Sequence, residues 1–560
     1  MTEWPLHPGL VLLGGAFVLA ALRGRARSVF QVGLPLLALA LVWQLPDASW
    51  QIQFLGHTLT PLRGDRLGRL FATIFALMAA GGGLYALGQK SRLEVPAAFV
   101  YAGAAMGVAL AGDLFTMFAF WEGMAIASTL VLWSRATPAA ERAAMRYAMI
   151  HLLGGAVLFA GIAGHVAQTG SIEFVRIAAD SPAHWMMLAG FLVNAAAPPL
   201  SAWLPDAYPE ASWSGTVFLS AFTTKAAVYA LIRSFPGTEL LVWVGLFMAM
   251  YGIVYALLEN DMRRILAYSI VNQVGFMLVG IGIGSEMALN GAAAHAFAHI
   301  IYKGLLLMSA GSVMYQTGRT KCSELGGLFH SMPLTTLCGT IGALAISAFP
   351  LTSGFISKSM ISQAAADSQL FTVWLLLTAG SAGVFLHAGI KFPWFVFFQK
   401  DSGLRPPDPP ASMRWAMIAF SALCIGLGIW PEPLYRMLPY AVHYQPYSTS
   451  HVLSQLQLLL FSGLAFFVLL PLLKRTATIT LDTDWLYRRL LPSFATAIGR
   501  VIARAQDAGA SAAAHWRSRT VLALARQFDP SGRAPGIPAT RSMALWVLVV
   551  LLGYLLAYYL

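Results

Sequence analysis

A single acidic side chain lies in the middle of an apolar segment that is long enough to cross a membrane. This residue is Glu122, in the segment AGDLFTMFAFWEGMAIASTLVLW. A charge at the centre of a membrane helix costs about 2.5–3.5 kcal/mol on insertion scales, so it is expected to have a partner and a function. Three lysines, Lys225, Lys303 and Lys358, lie in similar apolar surroundings. One acid and three bases in this setting predict a path for protons or cations.

Two histidines precede Lys303 at intervals of four residues. His295, His299 and Lys303 share one face if the segment AAAHAFAHIIYKGLLLMSAGSV is helical. Imidazole titrates close to neutral pH, so such a row is suited to passing protons between neighbouring groups. Two other interpretations stay open. One is hydrogen-bonded packing between helices, and the other is a metal site, although no HExxH glutamate or cysteine accompanies the pair.

Lys391, in LHAGIKFPWFVFF, is a further candidate. It either extends the path or directs its charge toward Lys400 and the aqueous phase. The cysteines at Cys322, Cys338 and Cys424 lack the spacing of metal ligands, and the glycines of GGGLYALGQK lack the pattern of a nucleotide-binding loop. We therefore predict neither a metal nor a cofactor.

The composition defines the class of protein that must position these residues. The chain is 58% hydrophobic and 11% charged, with a mean hydropathy of +0.67, which excludes a soluble globular protein. About sixteen apolar runs have the length of a membrane span. These features predict an all-α polytopic membrane protein with about 14–16 transmembrane helices.

The order of apolar and polar stretches predicts six segments. Residues 1–94 hold N-terminal spans and a short external hairpin at WQIQFLGHTLTPLRGD, where apolar and polar residues alternate. Two groups of spans that form the predicted repeats follow at 95–240 and 241–400, and additional spans occupy 401–475. Residues 476–540 mix apolar and basic residues at helical spacing, which indicates an amphipathic lateral helix, and 541–560 form a last span.

Proline interrupts two of the apolar segments, one in each half. The first break carries Pro198, Pro199 and Pro205, and the second carries Pro350 and Gly354. Aligning PLS at Pro199 with PLT at Pro350 gives an offset of 151 residues, about five spans. An odd number of spans inverts the second segment, which indicates two inverted repeats with a broken helix each. The alternative is that the prolines kink a packed helix.

The basic residues fall mostly on one side of the predicted spans. Clusters such as Arg23–Arg27 and Arg135–Arg146 predict that these loops face the cytoplasm and that the N-terminus lies outside. The expected location is the cell (inner) membrane. The formal net charge of +12 then reflects topology and contact with anionic lipid. A nucleic-acid partner is not expected.

Six segments between roughly residues 65 and 400 carry a resemblance to a known family. They are GDLFTMFAFWEGMAIAS, PLSAWLPDAYPEA, TTKAAVYALIR, ENDMRRILAYSIVNQVGFML, HAFAHIIYKGLLLMSAGSV and FPLTSGFISK. Together they resemble the family that comprises the proton-channel subunits of respiratory complex I and the Mrp-type cation/proton antiporter subunits, and they look most like the D-type member of the Mrp antiporters. The resemblance implies a membrane subunit that moves protons, with half-channels at 95–240 and 241–400, and that works with other membrane subunits in a hetero-oligomeric complex.

The resemblance also assigns roles to individual residues. Glu122 matches the family's acid that pairs with a lysine in the first broken helix, and Lys225 matches the next lysine on the central axis. The row from His295 to Lys303 matches the helix that bridges the two half-channels. Lys358 matches the terminal lysine or glutamate of the second broken helix, at the exit to the outside.

One departure from the family pattern falls in the first broken helix. Alignment through PLSAWLPDA places Asn194 at the family's lysine and Ser201 at its nearby histidine or glutamine. Glu122 must then find another cation, for which Lys225 is the best candidate, or the first half-channel is altered. Asp206, at the helix break, is expected to cap the helix that follows.

These observations predict a proton-translocating membrane subunit of a multisubunit Na⁺/proton antiporter. Two alternatives are a proton-pumping subunit of a redox complex, such as complex I or a membrane-bound hydrogenase, and a subunit that supplies proton-motive force to an inorganic-carbon uptake complex. A further alternative is a scaffold that retains the fold without conducting, although buried Glu122, Lys225, Lys303 and Lys358 would be costly to keep without a function.

Overall fold

The computed structural model describes residues 5–54, 56–471, 482–527 and 539–559. The chain divides into two compact units, Met1–Asp484 and Trp485–Leu560. The α-helices of the first unit are α1 (Pro8–Ala21), α2 (Gly24–Gln44), α3 (Arg66–Tyr85), α4 (Glu94–Leu110), α5 (Leu114–Trp133), α6 (Pro138–Thr169), α7 (Pro182–Asn194), α8 (Trp203–Ala207), α9 (Gly215–Leu219), α10 (Thr223–Ser234), α11 (Leu240–Leu258), α12 (Met262–Ile283), α13 (Glu286–Thr317), α14 (Pro333–Ile346), α15 (Ser353–Asp367), α16 (Phe371–Val384), α17 (Ala411–Ile429), α18 (Glu432–Tyr435) and α19 (Thr449–Val468). Two π-helical stretches, Phe385–Lys391 and Trp394–Phe398, continue α16.

Most of these helices have the length and composition of membrane spans. Within the described residues, eleven helical segments are long and apolar enough to cross a membrane, and four further apolar helices are shorter. The predicted class is therefore confirmed, and the chain is an all-helical, multi-pass membrane protein.

A short hairpin is the one sheet in the described part of the first unit. Strands β1 (Ser49–Phe54) and β2 (His57–Arg63) pair antiparallel in the segment where the alternating sequence predicts a hairpin. Asp113 connects this hairpin to the helices, because its carboxylate accepts hydrogen bonds from the Thr60 and Thr116 amides, both at 2.7 Å. The second of these bonds caps the N-terminus of α5.

Three of the membrane-length segments form the interior of the first unit. The apolar windows of Gly215–Ser234 and Met262–Ile283 are completely buried, and 94% of that of Glu286–Thr317 is buried. By contrast, only 17% of the window in Thr449–Val468 is buried, so that helix is peripheral. Because interior helices have almost no lipid-facing surface, their polar side chains must be satisfied by protein or by water.

Both proline-containing segments are broken helices, and the two breaks have the same backbone geometry. At the end of α7, Ala196 has a φ of 59° and the Ala197 amide donates to the Leu192 carbonyl. At the end of α14, Ala348 has a φ of 57° and the Phe349 amide donates to the Leu344 carbonyl. A residue in the left-handed region followed by a bond that spans five residues is a Schellman-type helix end.

The shared geometry corrects the alignment of the two breaks. Ala196 corresponds to Ala348, which is an offset of 152 residues instead of the 151 expected from the sequence. Pro350 therefore corresponds to Pro198 and not to Pro199. The sequence was ambiguous here because two consecutive prolines offer two registers, and hydrogen bonds distinguish them. Four membrane-length segments separate the two broken helices, so with single crossings the two run in opposite directions.

Gly354 allows the two halves of the second broken helix to approach each other. A Cβ atom at this position would lie 1.9 Å from the Ala345 carbonyl oxygen, at the end of α14. No side chain fits in that distance, so a larger residue would push α15 away from α14.

The second unit contains α20 (Leu491–Gln527) and α21 (Ala539–Tyr559), with a π-helical turn, Leu486–Leu490, before α20. At 37 residues, α20 lies within the segment predicted to be a lateral helix, and it is roughly 55 Å long. Its described side chains are almost all exposed. The remaining parts of the predicted 476–540 segment, at 476–481 and 528–538, lie outside the described residues.

Candidate functional site

The predicted histidine–lysine row lies on α13 at the centre of the first unit. His295, His299 and Lys303 are each 0% exposed. The rings of His295 and His299 are 6.4 Å apart between centroids. Helices α10, α12, α14 and α15 all pack against α13, so the row is enclosed on several sides.

His295 is connected to two neighbouring helices. Its Nδ1 lies 3.1 Å from the Ser357 hydroxyl of α15, and its Nε2 lies 3.1 Å from Oε1 of Gln273 in α12. The Tyr302 hydroxyl donates to the same amide oxygen at 3.1 Å. Gln273 and Tyr302 were not predicted as site residues. A polar amide in the apolar segment YSIVNQVGFML was the available signal for Gln273.

His299 differs from His295 because neither ring nitrogen has a hydrogen-bond partner among the described residues. Buried polar groups in proteins are nearly always hydrogen-bonded, so an imidazole with two unpartnered nitrogens calls for an explanation. The closest ring is that of Tyr302, at 5.2 Å between centroids and roughly perpendicular. Packing against this edge does not use the polar atoms of the imidazole. The hypothesis that this histidine merely connects helices by hydrogen bonds therefore finds no support here.

Three buried lysines, on α10, α13 and α15, bind hydroxyl and carbonyl groups. Lys225 Nζ donates to the Ser220 carbonyl at 2.7 Å and to Thr224 Oγ1 at 3.0 Å. Lys303 Nζ donates to Ser269 Oγ at 3.0 Å and to the Leu266 carbonyl at 3.4 Å. Lys358 Nζ donates to the Ile346 carbonyl at 3.0 Å and lies 5.0 Å from the centre of the Phe276 ring.

Two of these carbonyls belong to helix ends. Ser220 follows the last residue of α9, and Ile346 is the last residue of α14, so both oxygens are released where a helix is interrupted. The C-terminal end of a helix carries partial negative charge and favours a cation. No carboxylate lies within ion-pair distance of Lys225, Lys303 or Lys358 in the described structure. The interrupted helices therefore provide polar surroundings for Lys225 and Lys358, whereas Lys303 is bound by groups of the continuous helix α12.

Lys391 also binds a helix end. Its Nζ donates to the carbonyls of Ala256, Leu257 and Glu259 at 3.1, 2.5 and 2.6 Å, at the C-terminus of α11. The side chain is buried and does not reach toward Lys400, as one interpretation of the sequence expected. Binding three terminal carbonyls is by itself a sufficient structural role for this lysine.

Glu122 is placed in the first half, but it does not pair with Lys225. Its Oε1 is buried without a hydrogen-bond partner among the described residues, and it lies where a Cβ at Gly155 would be, 1.9 Å from that position. The Lys225 ammonium is directed toward Ser220 and Thr224 instead. The expected ion pair is thus absent from the described structure because Lys225 is held at the break between α9 and α10.

Asn194, at the position of the family's lysine, is hydrogen-bonded to a histidine. Its Oδ1 lies 2.7 Å from Nδ1 of His151 in α6, and both side chains are buried. His151 was not among the residues predicted to form the site. The signal that could have identified it was a histidine in an apolar span next to the position where the expected lysine is missing. Ser201 is also buried, and its hydroxyl has no partner in the described part of the chain.

Asp206 does not cap a helix, contrary to the expectation from the sequence. Its carboxylate accepts hydrogen bonds from Nε and Nη2 of Arg146, at 2.7 and 2.8 Å. The pair joins α6 to α8 in the second half of the first broken helix. With the corrected offset of 152, Asp206 corresponds to Lys358 in the second break. The two breaks therefore share a backbone but differ in charge.

A further buried acid, Glu94, was missed by sequence reasoning. Its carboxylate accepts hydrogen bonds from Gln89 Nε2 at 2.9 Å, Ser134 Oγ at 3.0 Å and the Ser214 hydroxyl. It lies in the first turn of α4, where the helix favours a negative charge. Among residues whose positions are described, no group of three or more His, Cys, Asp or Glu side chains could hold a metal ion.

The fold and the site together define a class: a multi-pass membrane protein whose interior carries a row of histidines and lysines between two broken helices. Residues 111–384 match the family described as "NADH:quinone oxidoreductase/Mrp antiporter, TM". The chain belongs to this family, as its motifs predict.

Comparison with individual proteins agrees with this assignment. The chain is 29% identical over 401 residues to a probable K⁺/H⁺ antiporter protein of Rhizobium meliloti, its A/B component, which covers 66% of this chain and 40% of that protein. It is 26% identical over 443 residues to the D component of the Na⁺/H⁺ antiporter of Alkalihalophilus pseudofirmus, covering 72% of this chain and 88% of that protein.

A solved structure, that of the Mrp complex from a Dietzia species, has the same fold, with a TM-score of 0.78. The match covers 98% of this chain and 65% of the Dietzia chain at 23% identity, so this chain spans about two thirds of that protein. It spans less than half of the Rhizobium relative.

Proposed function

We propose that this chain is the proton-translocating subunit of a multisubunit antiporter that exchanges protons for a monovalent cation, with Na⁺ as the first candidate. The observation that supports this function is the enclosed row of His295, His299 and Lys303 on α13, with Lys225 and Lys358 on the helices packed around it. Family membership and the antiporter names of two relatives add support.

The proposed path uses groups that can each hold a proton for part of the time. Lys225 lies on α10 and Lys358 on α15, and both helices pack against the helix that carries His299 and Lys303. Because the lysines are bound by neutral hydroxyls and carbonyls, a nearby charge that moves changes the balance between their protonated and neutral forms. His299, which is bound by no described protein group, is free to exchange protons through water. Glu122 belongs to the first half of the path, and Lys391 is the least supported member.

We further propose that the chain works with other membrane subunits in the inner membrane of a cell. The basic loops would lie in the cytoplasm and the N-terminus outside, in accordance with the distribution of arginine and lysine. The exposed α20 carries Arg500, Arg504, Arg517 and Arg519, which would contact anionic lipid or a neighbouring protein of the complex.

A second candidate function is proton pumping in a redox complex. It is favoured by the family description, which includes NADH:quinone oxidoreductases. The third possibility, support of an inorganic-carbon uptake complex, predicts a soluble zinc-protein partner. The proteins that co-purify with the chain distinguish the three: small membrane subunits for an antiporter, iron–sulfur subunits for a redox complex, and a zinc protein for carbon uptake.

The proposal is tested by ion flux in everted membrane vesicles that contain the chain together with its neighbouring subunits. The unaltered chain is compared with Glu122→Gln and Lys303→Ala at matched expression. We expect addition of Na⁺ to collapse a preformed pH gradient only in vesicles with the unaltered chain. Equal collapse of the gradient in all three preparations would favour the scaffold hypothesis. If no added cation collapses the gradient even with the unaltered chain, the redox alternative is favoured.

A further inference from the structure

Two titratable side chains, one on α6 and one packed against it, each have a buried polar atom. Neither atom has a hydrogen-bond partner among the described residues. They are Oε1 of Glu122 and Nε2 of His151. Glu122 lies against Gly155 of α6, and His151 is one turn earlier on that helix. A base on α6 and an acid packed against α6 thus lie within about one turn of each other along this helix, and each has a polar atom without a described partner.

Asn194 determines which nitrogen of His151 is unused. The amide oxygen of Asn194 only accepts hydrogen bonds, so the contact of 2.7 Å places the hydrogen of the imidazole on Nδ1. Nε2 then carries the lone pair and is able to accept a proton. The ring is fixed in this orientation by Tyr147 and Trp203, whose ring centroids lie 4.1 and 4.5 Å from that of His151.

Tyr147, which packs against His151, contacts hydroxyl groups of two neighbouring helices. The Tyr147 hydroxyl lies 3.0 Å from Ser128 Oγ and 3.2 Å from Thr223 Oγ1. The next residue along the chain, Thr224, accepts a hydrogen bond from Lys225 Nζ. Two consecutive threonines of α10 therefore contact Tyr147 next to His151 and Lys225, respectively.

Helices α5 to α8 and the turn after α8 surround His151. Their other charged and titratable groups are Glu122 on α5, Glu141, Arg142, Arg146, Tyr147 and His165 on α6, His184 on α7, Asp206 on α8, and Tyr208 and Glu210 in the turn. Arg146 and Asp206 form an ion pair with each other, and Glu210 lies 3.6 Å from Arg135. Of these acids, Glu122 and Glu141 have no ionic partner in the described structure. Glu141 is exposed at the start of α6, whereas Oε1 of Glu122 is buried.

We propose that His151 is the proton-carrying base of the first half, that Glu122 is the acid with which it exchanges a proton through water, and that Asn194 is the positioning residue. The Glu122 carboxyl gives its proton to Nε2 of His151, which produces a carboxylate and an imidazolium; the reverse transfer restores both neutral groups. During both steps, Nδ1–H stays bonded to Asn194. This inference rests on the proposed function, in which the chain moves protons.

Flux measurements on the complete complex in everted vesicles test the role of His151. His151→Gln removes the proton-accepting nitrogen, and we expect it to lower proton flux at least about tenfold. His330→Gln, at an exposed loop histidine, is the matched control and leaves flux unchanged. Lys303→Ala reports separately on the proposed function: if that variant and His151→Gln both conduct normally, the function itself is wrong.

A change at Asn194 separates proton transfer from a structural role. Asn194→Asp keeps an acceptor oxygen next to Nδ1 but adds a negative charge, which favours the imidazolium form. We expect the pH of half-maximal flux to move upward, with normal assembly of the complex. Two results would overturn the inference while Lys303→Ala abolishes flux: more than half of the flux retained in His151→Gln, or an unchanged pH profile in Asn194→Asp.

Discussion

His299 differs from the other residues of the central row because its ring nitrogens have no hydrogen-bond partner among the described residues. A buried imidazole without a hydrogen-bond partner among the described residues contributes little to folding, because it gains no hydrogen bond from the protein. Lys225 and Lys303, in contrast, each have protein acceptors that stabilise the ammonium form. The proposed proton path would give the unsatisfied His299 a role among residues that are satisfied.

Because of this difference, a substitution of His299 is expected to lower proton flux without lowering thermal stability. His299→Leu removes polar atoms that make no hydrogen bond with described residues, so thermal stability of the purified complex is expected to be unchanged or slightly higher. Proton flux is expected to fall about tenfold or more, because the row loses a carrier. Thermal unfolding and vesicle flux measured on the same preparation check both parts. A large loss of stability together with normal flux would assign His299 to packing instead.

Gly354 gives a second prediction, about backbone packing. Gly354→Ala places a methyl group against the Ala345 carbonyl and is expected to destabilise the protein by about 1–3 kcal/mol. Gly14→Ala is the matched control, since no atom lies within 4 Å of a Cβ at that helical position. Thermal unfolding in detergent compares the two. Equal midpoints would show that α14 and α15 separate without cost.

The two broken helices have the same backbone geometry but differ in the side chains that bind their released carbonyls. Each ends with an alanine in the left-handed region, and a new helix begins a few residues later. In the second break, Lys358 binds the released Ile346 carbonyl, whereas in the first the Trp203 indole donates to the Val193 carbonyl at 2.9 Å. The second half of the first broken helix is held to α6 by the ion pair between Asp206 and Arg146, so its position depends on a charge from another helix.

This anchoring is testable by comparing a buried ion pair with an exposed one. Arg146→Gln leaves the carboxylate of Asp206 buried with weaker donors, and a loss of about 1–3 kcal/mol is expected. The control is Arg405→Gln, because Arg405 and Asp401 form an exposed pair in a loop, where an ion pair contributes little. Chemical or thermal unfolding of the purified chain measures the difference. If both variants unfold alike, the pair does not anchor α8.

The sequence predicted the helical class, the broken helices and the histidine–lysine row, because hydropathy, proline and spacing are local signals. It did not predict that Glu122 and Lys225 are separate, since this depends on how the interruption before Lys225 turns its side chain toward Ser220. The bond between Asn194 and His151 was missed for the same reason: the two residues are far apart in sequence and meet only through the packing of α6 against α7.

The molecule as a whole consists of a helical membrane body and a separate C-terminal unit. The body, up to Asp484, contains the buried row and both broken helices. The second unit presents α20, whose apolar residues include Phe494, Ile498, Val501 and Trp516, all at least half exposed. Apolar side chains in water are unfavourable, so this helix is expected to lie on lipid or on another protein of the complex.

Removal of residues 485–560 should therefore affect assembly more than folding. We expect the truncated chain to insert and fold, because the first unit is compact by itself, but to lose most of its co-purifying membrane subunits. Affinity purification from membranes, with the full chain at the same expression level as control, measures this. Retention of all partners by the truncated chain would mean that the body alone holds the complex together.

The central claim is that the buried row on α13 carries protons, and proton flux into liposomes that contain the purified complex tests it most directly. With a membrane potential imposed by a potassium gradient, Lys303→Met is compared with Lys321→Met, at a lysine that is exposed in a loop. We predict that flux is lost in the first variant and retained in the second. Normal flux in Lys303→Met, in a fully assembled complex, would contradict the claim.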